Sequence, residues 1–197
     1  MIDTDTRILV MGVGNPLMRD EGLGPRVIEV LREGFNFPEN VEVVDAGTMG
    51  FTILDLLRGI DHLIVVDAIK DTGHEPGTVL ILTPDELSSN QVMHSLHDTA
   101  LVDVLQAAEL MDRAPQTVAI GVQIESIDEW VLELSDSVSE AVPIAAAAVL
   151  DQLSQLGIVP EKCAHADVDA RIIGALRSYA PMPEEALRPA GDDPATG

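Results

Sequence analysis

Five short apolar runs, separated by helix-like stretches, restrict this chain more than any other feature. They are Arg7–Met11, Val41–Asp45, His62–Asp67, Thr78–Leu82 and Thr117–Val122, each rich in β-branched residues, as buried strands are. Helix-like segments near Gly22–Glu33, Gly50–Leu57, Asp98–Met111 and Ser137–Gln155 alternate with them or follow the last. That alternation predicts an α/β fold, a mostly parallel sheet with helices on both faces. One connection breaks the rule. Between Asp67 and Thr78 lie about ten residues, Gly73, Pro76 and Gly77 among them, and a parallel crossover needs about a dozen or more. The fourth strand is therefore expected to run antiparallel. It leads into Thr83-Pro84-Asp85-Glu86, a capping box with proline at the first helical position. Ser137-Val138-Ser139-Glu140 reads as a second capping box, opening a last helix that Pro143 bends near its first turns.

A chain of 197 residues is long enough to bury one full core. Residues 1–160 read as a single domain and 161–197 as an extension. Pro181, Pro183, Pro189 and Pro194 mark about the last fifteen residues of that extension as mobile. The acidic start, Met1-Ile2-Asp3-Thr4-Asp5, lacks the basic and apolar regions of a secretory signal. No apolar run approaches the roughly 18 residues of a membrane span. The single cysteine, Cys163, excludes an internal disulfide, and a cytoplasmic protein is expected. Eleven Lys and Arg against 34 Asp and Glu give a formal charge of −23. Nucleic acid and anionic membranes are thereby poor partners, whereas cations and basic polypeptides are favoured; solubility alone accounts for much of such a charge.

The first strand run leads into Gly12-Val13-Gly14-Asn15-Pro16 and then the acidic pair Asp20-Glu21. The glycines permit a tight turn and close approach to the backbone. A dinucleotide fold would need a third glycine where Leu17 stands, and Asn15-Pro16 delays the helix that would hold a pyrophosphate. The alternative is a carboxylate on a stiff loop past a strand end, where open α/β sheets place their chemistry. Three side chains share such positions: Glu21 after the first strand, Asp67 closing the third, and His97 at the start of the helix from Asp98. Two carboxylates and an imidazole suit nickel, zinc or a similar divalent ion. Each has a plainer reading. Asp67 could cap the following turn, Glu21 could be a first-turn acid favoured by the helix dipole, and His94 could replace or join His97. His62 belongs to the opposite edge of the sheet, roughly 16 Å from Asp67 at about 3.3 Å per residue. The chain has no G-x-S-x-G elbow, H-E-x-x-H pair or phosphate-binding G-x-x-x-x-G-K, so its chemistry is centred on metal or on binding.

These residues, in this order, resemble the nickel–iron hydrogenase maturation endopeptidases. The likeness rests on Gly12-Val13-Gly14-Asn15 with Asp20-Glu21-Gly22-Leu23-Gly24, on Asp45-Ala46-Gly47-Thr48 with Gly50, and on the strand ending at Asp67. It continues through His97 with Leu101, Asp103 and Leu105, Gly121-Val122-Gln123 before Glu125-Ser126, and Leu134-Ser135 before Val138, covering about residues 7–157. The resemblance implies a three-layer α/β/α sandwich around a five-stranded mixed sheet of order 2-1-3-5-4, strand four antiparallel. It also implies an endopeptidase that removes a C-terminal extension from a hydrogenase large-subunit precursor once nickel is in place. The family's metal positions fall on Glu21, Asp67 and His97, and an acidic position implicated in activity falls on Asp45. Many relatives carry Asp where this chain has Glu21. Nickel is the expected metal, with zinc or cadmium able to occupy the same donors, and a monomer is expected. The glycine turns at 12–14 and 47–50 are expected to leave room for an extended substrate tail. Rival readings are a nickel-binding chaperone that does not cut and a dinucleotide-dependent oxidoreductase.

Overall fold

The five apolar runs become five strands of one sheet. The computed structural model describes residues 6–83, 86, 98–110 and 114–163, and all five strands lie within them. In chain order the strands are β1 (Ile8–Val13), β2 (Phe35–Asn36), β3 (Val41–Gly47), β4 (His62–Ile69), β5 (Val79–Leu82), β6 (Gln116–Gln123) and β7 (Glu161–Lys162). The main sheet has the order β3-β1-β4-β6-β5, and β2 pairs with β7 in a separate two-stranded ribbon. Counting only the five runs, that is the expected order 2-1-3-5-4. β1, β3, β4 and β6 run parallel, while β5 lies antiparallel to β6 with Val79 opposite Val122. The short 70–78 connection therefore reverses the chain as its length requires. Gln123, buried at the end of β6, holds that connection: its backbone exchanges bonds with Gly77 and Thr78, and its side-chain oxygen accepts from the Thr72 N–H at 3.1 Å.

Side-chain alternation along β4 explains the three layers. Ile64, Val66 and Ala68 face α1 (Leu23–Gly34) and the last helix, α4 (Asp136–Gln155); Leu63, Val65 and Ile69 face α2 (Ile53–Leu56) and α3 (Asp98–Leu110). α1 buries Leu23, Val27, Ile28 and Leu31 at helical spacing and turns Arg26, Glu29 and Arg32 outward. The small residues Ala145–Ala148 of α4 are all buried, as a closely packed face requires.

Two local expectations meet different outcomes. At the end of β5 the Thr83 N–H donates to the Glu86 carboxylate at 2.7 Å and the Glu86 N–H to the Thr83 hydroxyl at 3.4 Å, the reciprocal bonds of a capping box. The second capping box does not form: α4 starts at Asp136 with Ser135, not Ser137, as its N-cap residue. The Ser137 hydroxyl instead donates across the preceding loop to Glu125 at 3.2 Å. Pro143 lies inside α4, which continues through it to Gln155. After α4 the chain returns to the end of α1, where the Cys163 N–H donates to the Gly34 carbonyl at 2.9 Å. The expected mobile tail lies outside the described residues, among which no helix is long and apolar enough to cross a membrane.

Candidate active site at the switch point of the sheet

From β1 the chain crosses outward to β3, and from β3 it returns to β4 on the other side of β1. The strand order thus reverses between β1 and β4, and ligands of open α/β sheets bind beyond the carboxyl ends at such a point. A single 3-10 turn, Arg19–Gly22, and the first turn of α1 lie there. Glycine makes this placement possible. A Cβ on Gly24 would sit 2.1 Å from the Val13 carbonyl and 2.8 Å from that of Val66; one on Gly14, at φ +133°, would sit 1.9 Å from the Glu21 carbonyl. The turn is pressed onto the ends of β1 and β4, carrying Glu21 with it. This corrects the expectation that the 12–14 turn leaves room for a substrate tail: the chain's own backbone fills that space. At Gly50 no described residue comes within 4 Å of a would-be Cβ.

Glu21 and Asp67 come to adjoining strand ends, and both are more than nine-tenths buried, at 3% and 6% exposure. Asp67 shares the strand face of Leu63, Val65 and Ile69, the face covered by α3. One of its oxygens accepts from the Ala68 N–H at 2.8 Å, fixing the carboxylate locally. His97, the residue before α3, and His94 lie outside the described residues. Among the described residues no three potential ligands gather into a metal-binding group. The carboxylate pair is chemically apt for a divalent ion, and a third donor has to come from elsewhere in the chain or from a bound molecule. Asp45 is placed differently. It lies opposite Gly12 on β3, one strand farther from Asp67, exposed, with one oxygen accepting from the Gly47 N–H at 2.9 Å. It shares the face of Val41 and lines a groove against α1 with Pro16, Gly22, Pro25 and Leu134. His62 is at the amino end of β4, far from this rim, beside Asp61 and Gln116.

Asp20, beside Glu21, is fully buried and accepts four hydrogen bonds from the loop between β6 and α4. They come from the N–H groups of Glu125 at 3.2 Å, Ser126 at 3.1 Å and Ser135 at 2.7 Å, and from the Ser135 hydroxyl at 2.9 Å. Sequence reasoning assigned Asp20 no role of its own. A signal was present, since Gln123, Glu125, Ser126 and Ser135 all belong to the motif positions listed above. Three of these supply Asp20's partners, and Gln123 ties down the neighbouring loop.

A buried carboxylate pair at the switch point of a mixed α/β sandwich defines a class of site suited to a divalent ion, and comparison with known proteins narrows the class. The hydrogenase maturation protease family model (HycI) matches residues 25–152, and the chain belongs to that family. It is 36% identical over 165 residues to the hydrogenase 2 maturation protease of Escherichia coli, spanning 81% of this chain and 99% of that protein. It is 36% identical over 157 residues to the hydrogenase expression/formation protein HupD of Bradyrhizobium diazoefficiens, covering 78% of this chain and 81% of the relative. Among solved structures, the hydrogenase maturating endopeptidase HybD of E. coli superposes with a TM-score of 0.74 at 34% identity, over 80% of this chain and 98% of that one. The [NiFe] hydrogenase maturation protease HybD of Thermococcus kodakarensis gives 0.62 at 27% identity, over 75% and 99%. The chain is a peptidase of hydrogenase maturation.

Proposed function

We propose that this peptidase removes the C-terminal extension of a nickel–iron hydrogenase large-subunit precursor after nickel insertion, and that Glu21, Asp67 and His97 read the metal. The observation that carries the reading is the burial of two carboxylates, Glu21 on the turn after β1 and Asp67 near the end of the neighbouring β4, at the switch point. Nickel here belongs to the substrate. When it arrives in the precursor it supplies Lewis acidity, which favours attack on a nearby peptide carbonyl or ionisation of a water. The chain's own part is recognition and orientation. Asp67 is fixed by its bond to Ala68, and Glu21 by the pressed turn, so both enter the encounter already placed. His97, from the start of α3, completes the set. Asp45, on the adjoining groove, orders the extended peptide or the attacking water. The test is incubation with nickel-loaded and nickel-free precursor followed by intact mass measurement. A shortened large subunit from the loaded precursor alone is expected. Binding without cleavage would leave a chaperone in its place.

A further inference from the structure

We infer that the loop between β6 and α4 is a preformed docking platform for the folded body of the hydrogenase large-subunit precursor, met through an apolar spot bordered by Lys and Arg. The inference rests on the proposed substrate and concerns a different surface of the enzyme. Seven large apolar side chains are exposed among the described residues, and four of them, Leu17, Met49, Trp130 and Leu132, stand on loops at the carboxyl ends of the strands. Trp130, the chain's only tryptophan, is 80% exposed, and Leu132 is 64% exposed. Apolar side chains gathered beside a site mark a contact surface, and tryptophan is the residue most often found at the energetic centre of one.

The loop is held in shape before any partner arrives. The Trp130 N–H donates to the Leu17 carbonyl at 2.7 Å, the Arg19 N–H donates to the Val131 carbonyl at 2.8 Å, and Asp20 clamps both ends. Trp130 itself sits at φ +65°, a conformation costly for a residue with a Cβ and kept only where the surroundings impose it. Such preorganisation lowers the ordering cost of binding. Because the same bonds run to the turn that carries Glu21, whatever seats on Trp130 is held in register with the buried carboxylates.

Charge selects the partner's surface. From Ala114 to Glu161 the chain contains no Lys or Arg, while the loop itself carries Glu125, Asp128, Glu129 and Glu133, and Asp136 opens α4. Arg19 pairs with Asp128, and Glu129 and Glu133 are exposed on either side of Trp130 and Leu132. An apolar centre with an acidic rim fits an apolar spot with a basic rim, and it repels a second copy of a chain whose net charge is −23.

The test labels the full chain with 5-fluorotryptophan, so that one 19F resonance reports Trp130, and titrates it with unlabelled nickel-loaded precursor while cleavage is followed by mass. The resonance is expected to shift at saturation. Trp130→Gly, which suits the φ and so keeps or raises Tm, is expected to raise KM at least about tenfold with kcat within about twofold. The double reversal Glu129→Lys with Glu133→Lys is expected to raise KM and flatten its dependence on salt. An unshifted resonance, or an unchanged KM in Trp130→Gly, overturns the platform even if cleavage proceeds. A shifted resonance without cleavage supports the platform and sinks the protease reading alone. Loss of self-association in Trp130→Gly with KM intact would assign the surface to a second copy instead.

Discussion

Two neighbouring acids, Asp20 and Glu21, carry opposite duties although both are buried. Asp20 spends its oxygens on four donors of a loop more than a hundred residues away; its bond from the Ser135 N–H spans 115 positions. Glu21 is buried on the turn pressed onto the ends of β1 and β4. Removing Asp20 leaves three backbone N–H groups and a hydroxyl to find new partners in a buried place. Asp20→Ala is therefore expected to lower stability by about 3 kcal/mol, or roughly 10 °C in Tm, in thermal unfolding followed by circular dichroism. Asp67 differs, because one of its oxygens accepts from the next residue's own N–H and the backbone of β4 keeps both neighbouring strands without the side chain. Asp67→Ala and His97→Ala are expected to abolish precursor processing with Tm changed by only a few degrees, whereas Glu21→Asp, with its carboxylate on a shorter stem, retains part of the activity. Full processing by His97→Ala, read from a time course on gels, would remove the metal grip.

At the scale of elements, the turn from β1 into α1 is where helix propensity and packing disagree. Within a helix, Gly→Ala normally stabilises by about 1 kcal/mol. At Gly24 the added methyl would meet the Val13 carbonyl at 2.1 Å, and neither backbone can move without dragging β1 or β4. Gly24→Ala is thus expected to destabilise by about 2–3 kcal/mol in urea unfolding and to impair processing by lifting Glu21 off the strand ends. A stabilised Gly24→Ala protein would show that the turn is not pressed in place. The outer edge of the sheet shows a second use of local chemistry. The Arg32 guanidinium donates twice to the Val43 carbonyl, at 3.0 and 2.6 Å, and so occupies an acceptor on β3, the edge strand among the described residues. Edge strands left bare invite pairing with another chain.

Over the whole molecule, the rim of the sheet carries the parts on which the proposed checkpoint rests: two buried carboxylates, a groove lined by Asp45, and an acidic, apolar loop. In the function proposed above, nickel in the precursor adds metal–ligand contacts that the empty precursor lacks, so discrimination is a difference of affinities. Cleavage of nickel-free precursor, and of generic peptides, is expected to be at least about a hundredfold slower than that of the loaded form, a gap of about 2.7 kcal/mol. Single-turnover rates on the two precursors check this, and equal rates would sink the checkpoint while leaving the protease intact.

Strand number and the reversal at β5 were legible in the residues themselves, because the apolar runs and the length of the 70–78 connection are local properties, whereas the strand order came from the resemblance to the family. The position of Glu21 past the end of β1 was legible too, but Asp67, expected to close its strand, lies inside β4 two residues before its end. What the 12–14 glycines accommodate was not legible, since tightness around Gly14 depends on where Glu21 folds back. Nor could a lone tryptophan in a chain with 3% aromatic residues be told from a core residue until its loop was seen pinned outward by Leu17 and Asp20. Periodicity and spacing act over a few residues and survive in a one-dimensional reading. Asp20's ties to Ser135, and the exposure of Trp130, come from contacts between loops distant in sequence, and only the packed sheet decides which loops meet at its rim.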